Sequence, residues 1–230
     1  MTSAVLLDLY GTLVAPDWAR LTAGRDAIAD RAGVPREAAR RAWAATHRRR
    51  MRGDYGALEQ DLGAVLTAAG CTDAIAPDLL GELAAVERAN WRDGVCLFAD
   101  VMPALERLSG AGMRLAIVTN ASAEAASVIP ALGLDRRVDL VVASCTARAL
   151  KPDLLERALV ELGIPACDGL LADDEPQQVA AAERIGLDAV LVRRSNSDET
   201  SAAGVAPTHV VTDLAALSDL VLGAPSAPRR

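Results

Sequence analysis

Residues 4–14 read AVLLDLYGTLV, an apolar run from Ala4 to Leu7 that stops at the carboxylate of Asp8 and meets a glycine three positions later at Gly11. A short uninterrupted apolar run followed by a turn residue predicts a buried strand leading into a loop, as in a sheet covered on both faces. Asp8 then stands just past the carboxyl end of a strand, where open parallel sheets bind their ligands.

Working outward, further apolar runs predict strands at 114–119, 140–143, 169–172 and 189–192, with a weaker one at 209–211. Helical spacing appears between them: Val101, Leu105 and Leu108; Leu154, Leu155, Ala158, Leu159 and Leu162; Val179, Ala182 and Ile185. Alternating strands and helices imply an α/β fold, a Rossmann-like three-layer core around a parallel sheet. Residues 15–92 interrupt the alternation. Their clearest helix runs from Asp54 to Ala69, with Tyr55, Leu58, Leu62, Val65 and Leu66 on one face and Gly70 as its stop. Helices are also expected at 17–32, 35–51 and 77–91, which together make a small helical-bundle cap. The expected organisation is a catalytic core of residues 1–14 and 93–222, a cap of 15–92, a polar loop at 194–207 and a disordered tail at 223–230.

Composition narrows the partners. The 230 residues carry a net charge of −7 and the pI is about 4.9, which opposes electrostatic binding to nucleic acid or anionic lipid and favours a small-molecule partner. No apolar run reaches a membrane span, so a soluble, cytoplasmic protein is expected. Cys71, Cys96, Cys145 and Cys167 lack the spacing of a zinc or redox motif and read as reduced thiols, with Cys145 in a loop as a small buried residue.

The strand ends collect a chemically coherent set. The first delivers Asp8, Gly11 and Thr12, the next Thr119 and Asn120, another is followed by Lys151, and a fourth ends at Asp173 and Asp174. A carboxylate nucleophile, a hydroxyl beside free backbone amides, a lysine and a second acidic group are what holding and attacking an anionic substrate requires. Adjacent acids such as Asp173 and Asp174 repel one another unless a cation or a helix N-terminus compensates. Thr119-Asn120 alone also reads as a strand-end turn, and Lys151-Pro152-Asp153 as a helix start.

LLDLYGTLV, LAIVTNAS, LKPD and LLADDEPQQVAAAERIG resemble, in order and separation, the four motifs of the haloacid dehalogenase superfamily over residues 4–192. The resemblance implies that Asp8 is the nucleophile, that Thr119 and the amides after Asp8 hold the transferring group with Gly11, Thr12 and Asn120 nearby, and that Lys151 neutralises charge and lowers the pKa of Asp8. It further implies Mg²⁺ bound by Asp8, the backbone carbonyl of Tyr10 and Asp174, with Asp173 in support; hard oxygen ligands suit that ion.

Residue 10 departs from the pattern. Phosphatases of this superfamily carry a second Asp there as general acid and base; this chain has Tyr10, a poor base near neutrality. Asp-Leu-Tyr-Gly-Thr also resembles the metal-independent 2-haloacid dehalogenases, whose halide leaves without a proton. Their fourth motif, however, carries serine and asparagine where this chain has Asp173 and Asp174 and an Asp where it has Gln178, and their tyrosine shortly after the lysine is Arg157 here. The expectation is Mg²⁺-dependent hydrolysis of a small phosphorylated metabolite with a good leaving group. The alternatives are a dehalogenase and a binding or regulatory protein with little turnover.

In the cap, Arg48, Arg49, Arg50 and Arg52 stand where they could reach an anionic group, but the preferred reading is a solvated helix end favoured by the dipole. Trp18 and Trp43 are expected to pack within the cap, and His47 and His209 receive no role.

Overall fold

A computed structural model describes residues 2–72, 74–194 and 209–223. Six parallel strands form the main sheet: β1 Ala4–Leu7, β4 Arg114–Thr119, β5 Leu140–Ala143, β6 Gly169–Asp173, β7 Asp188–Val192 and β8 His209–Val211, in the order β5-β4-β1-β6-β7-β8. The fold is α/β and Rossmann-like. β1 lies between β4 and β6, with Leu7 opposite Ile117 on one side and Ala172 on the other.

The two-residue period of a strand divides β1 between two cores. Val5 and Leu7 join Leu115, Ile117, Ala172 and Val190 beneath helices α5 (Val101–Gly110) and α10 (Leu214–Leu222). Ala4 and Leu6 join Ala116, Val118, Leu171 and Leu191 beneath α8 (Asp153–Leu162) and α9 (Pro176–Arg184). This double burial explains why β1 and β4 lack polar alternation in the sequence.

The helices expected between β1 and β4 are α1 Trp18–Arg31, α2 Arg36–Met51, α3 Leu58–Ala68 and α4 Pro77–Asp93. They enclose an apolar cluster of their own, with Ile28, Trp43, Leu62, Leu66 and Leu83 at its centre. Two short strands that the pattern does not announce, β2 Val14–Pro16 and β3 Val95–Leu97, pair antiparallel and clamp the two ends of this helical insert together. Two short helices also escape the pattern, α6 Ala125–Ala131 and α7 Ser144–Ala147. Cys145 therefore stands half-buried in a helical turn rather than a loop. None of the four cysteines is in a disulfide, and Cys96 and Cys167 are exposed. Only Arg194 of the expected polar loop and Gly223 of the expected tail fall within the described residues. Among the described residues no helix is long and apolar enough to cross a membrane.

The insert rests on the core at the carboxyl end of α2. Ser144 Oγ donates to the Met51 carbonyl at 2.5 Å and accepts from the Ala121 amide at 2.9 Å, joining α2 to the loop that follows β4. Gly53 adopts φ +68°, and a Cβ there would lie 1.9 Å from the Cys145 carbonyl oxygen. Only glycine fits this approach.

Candidate active site

The register delivers the strand-end residues to one place. The amide of Asp8 donates to the Ala172 carbonyl at 3.0 Å, which sets Asp8 level with the end of β6. Lys151, just before α8, reaches back with Nζ 2.6 Å from Asp8 Oδ1 and 2.6 Å from Asp173 Oδ2. The Lys151 amide is held by Asn120 Oδ1 at 3.1 Å, and the Lys151–Pro152 peptide is cis. Asp173 Oδ1 accepts from the Glu175 amide at 2.9 Å. Oxygens of Asp8, Asp173 and Asp174 lie within 4.8 Å of one another. Gly11, at φ +82°, lies beneath Asp174: a Cβ there would sit 2.2 Å from Asp174 Oδ2.

Three carboxylates thus surround one ammonium. Burial pushes Asp8 up to about 8, against the lowering pull of Lys151 and with Asp173 and Asp174 adding to the rise. Lys151 lowers the Asp8 pKa as expected, but burial and two neighbouring carboxylates raise it by more than one cation lowers it. Burial also raises Asp174 to about 7, with Asp173 the next cause. Burial alone would lower Lys151, yet the paired carboxylates hold it above the ordinary lysine value. A divalent cation among these oxygens would relieve the excess, so the donor set fits a hard metal ion.

Behind this cluster, Thr12 and Thr119 are fully buried, and neither hydroxyl has a hydrogen-bond partner among the described residues. The Thr12 carbonyl accepts from Arg194 Nη2 at 2.6 Å, while Arg194 Nη1 pairs with Asp100 at 2.7 Å; this pairing, invisible in the sequence, fixes the loop after β1. Tyr10 packs on Trp91 with ring centroids 5.2 Å apart, and its buried hydroxyl likewise has no partner. Burial, then Glu124 and Asp8, push that hydroxyl well above the ordinary tyrosine value.

A cleft of about 820 Å³ lies over these groups, lined from the core by Tyr10, Gly11, Asn120, Lys151 and Asp174 and from the insert by Trp18, Arg25, His47, Arg48, Arg50 and Trp91. The solvated-end reading fails for Arg50, which is 2% exposed. Trp43, Thr46 and Arg50 follow i, i+3 and i+7 spacing on the inward face of α2, a signal the sequence did contain. Arg50 Nε donates to Thr46 Oγ1 at 3.2 Å, Nη2 to the Trp43 carbonyl at 3.0 Å and Nη1 to Ser122 Oγ at 3.4 Å. Arg25, also missed, stacks 4.1 Å over Trp43 and pairs with buried Glu87 at 3.1 Å. Trp43 packs within the insert as expected, whereas Trp18 is exposed at the cleft mouth, edge-on to Trp91. His47 lines the cleft, and His209 is exposed on β8. Arg157 pairs with Glu161 on the outside of α8.

Residues 2–186 match the haloacid dehalogenase-like hydrolase family, and the chain belongs to it. Over 135 residues it is 33% identical to a plasmid-encoded phosphoglycolate phosphatase of Cupriavidus necator, covering 57% of this chain and 58% of that protein. Over 127 residues it is 29% identical to an (S)-2-haloacid dehalogenase of Pseudomonas putida, covering 53% and 55%. The chain thus spans little more than half the length of these curated relatives. Among solved structures, a 2-haloacid dehalogenase from Pseudomonas syringae pv. Tomato superposes with TM-score 0.75 at 21% identity over 97% of this chain and 99% of that one. A phosphatase of the same superfamily from Thermococcus onnurineus gives 0.68 at 19% identity over the same shares. These structural likenesses show the fold.

Proposed function

We propose that this hydrolase cleaves phosphate from a small anionic metabolite in a Mg²⁺-dependent reaction, with Asp8 as nucleophile. The observation that carries the reading is the convergence of Asp8, Asp173 and Asp174 within 4.8 Å around the single ammonium of Lys151. Such a site is short of positive charge before an anionic substrate arrives, and a metal-free displacement gains nothing from Asp174.

Asp8 and Asp174 with the Tyr10 carbonyl would hold the ion, and Asp173 would orient Lys151. When bound, Mg²⁺ supplies positive charge to the phosphoryl oxygens and favours ionised Asp8. An Asp8 oxygen bonds to phosphorus as the ester or anhydride oxygen departs with its electron pair, and water then hydrolyses the aspartyl phosphate. Lys151 balances charge throughout, and the partnerless Thr119 hydroxyl is available to a phosphoryl oxygen. Tyr10 transfers no proton in this scheme, because burial holds its hydroxyl in the protonated form, above its ordinary pKa. Substrates with a weakly basic leaving group are therefore favoured: acyl phosphates, whose carboxylate needs no proton, ahead of sugar 1-phosphates, whose departing oxygen takes its proton from water. Residues 15–92 act as the cap that selects among them.

Tyr10 is also the observation that favours the second reading, a 2-haloacid dehalogenase, since halide leaves without an acid. Both are tested by measuring phosphate and halide release over small substrate panels with Mg²⁺ and with EDTA. EDTA-sensitive phosphate release is expected; metal-independent halide release would overturn the phosphatase reading.

A further inference from the structure

Arg50 is a buried cation without an ion pair. Among the described residues no carboxylate oxygen lies within 4.0 Å of it, and its three hydrogen bonds go to the neutral acceptors Thr46, Trp43 and Ser122. Burying a charge without a direct counter-charge is costly, and an anionic ligand in the cleft would offset that cost. The nearby acids do not fill that role. Glu87 is engaged by Arg25. Glu124 is hydrogen-bonded by the Ser122 hydroxyl, and burial favours its neutral form. Asp61 is pushed up to about 7 by burial despite the opposing pull of Arg50.

The guanidinium has five N–H groups in a rigid plane, and two have no protein acceptor among the described residues. One face stacks 4.5 Å from Trp43, which fixes the plane. Arg50 lines the same cleft as Lys151 and Asp174, and reaches it from the helical insert. Two spare N–H groups on a planar cation match a carboxylate, the anion whose geometry accepts a paired donor fork.

We propose that Arg50 is a specificity residue binding a carboxylate at the end of the substrate remote from Asp8, so that the substrate class is a small phosphorylated carboxylic acid. The inference rests on the phosphatase reading above and adds the second anionic group. Arg25 lies over the same Trp43 ring, 4.1 Å from its centroid.

The test compares two phosphate esters that differ in a carboxylate, 2-phosphoglycolate and ethyl phosphate, binding to full-length Asp8→Asn protein with Mg²⁺, by calorimetry. The carboxylate is expected to tighten binding about ten- to a hundredfold. Adding Arg50→Met should bring that ratio near one while leaving ethyl phosphate affinity unchanged, and Arg50→Lys should retain part of it. Near-ultraviolet circular dichroism checks that each variant folds, and the wild-type ratio needs no change at Arg50. A wild-type ratio near one, a ratio that survives Arg50→Met, or no measurable binding of 2-phosphoglycolate overturns the subsite. Failure of the phosphatase reading has a different signature: no phosphate release by the wild-type enzyme from any ester or anhydride, whatever the binding ratio.

Discussion

On the sheet side of the cleft, three carboxylates gather about one ammonium; on the helical side, two guanidinium groups lie against Trp43 and only Arg25 has a carboxylate partner. The first wall is short of positive charge, and on the second Arg50 has no carboxylate within ion-pair distance among the described residues. No ion pair among the described residues joins Arg25 or Arg50 to Asp8, Asp173 or Asp174. The contrast fits the proposed ligand pair, a cation on one side and an anion spanning to the other.

The largest expected effect comes from breaking the sheet-side wall at its nucleophile. Asp8→Asn should lower kcat by about 10⁴-fold or more, read as phosphate release under saturating Mg²⁺. Activity near that of the wild type would remove Asp8 from the chemistry and leave the contrast purely structural. Next is Gly11→Ala, whose methyl group must displace Asp174 and adopt φ +82°. The expected loss is about 10²-fold in kcat/KM, accompanied by weaker Mg²⁺ binding in calorimetry.

A smaller change sharpens the helical side. The Asp61 carboxyl is raised from 3.8 to about 7, so the folded state binds its proton more tightly than the unfolded state does. The stability associated with that proton is present below pH 4 and is lost as pH rises toward and through about 7. Asp61→Asn should therefore raise Tm at pH 8 by about 2–4 °C if roughly 1 kcal/mol is recovered, and the gain should vanish below pH 4. A pH-independent gain would mean that titration of Asp61 is not its source. The smallest effect belongs outside both walls: Arg157→Ala, which breaks an exposed i,i+4 pair with Glu161, should leave turnover unchanged and move Tm by no more than about 2 °C.

The two walls also differ in how far the sequence announces them. Asp8, Thr119, Lys151, Asp173 and Asp174 each follow or end an apolar run, or open the next helix, and parallel strands in register bring such positions to a common edge. Reading strand ends is therefore enough to collect them. Arg50 sits among Arg48, Arg49 and Arg52, and residue type alone cannot separate one buried arginine from three exposed ones. Its spacing from Trp43 and Thr46 does separate it, once the inward face of α2 is known. Arg25 and Glu124 offer less, since their partners are 62 residues away for Arg25 and a loop serine for Glu124. β2 and β3 are three residues each, too short for periodicity, and Pro16 ends the first. The net shift of Asp8 is out of reach for a related reason: the sequence supplies Lys151 as a neighbour that lowers its pKa but not the degree of burial that outweighs it.

Gly53, packed against the Cys145 carbonyl, gives α2 a fulcrum. The helix is 16 residues, about 24 Å, and its fixed end is the one next to Arg50. The α2 residues that line the cleft, His47, Arg48, Arg50 and Met51, all lie within about two turns of that anchor, so the guanidinium is carried by the part of the helix held directly against the core.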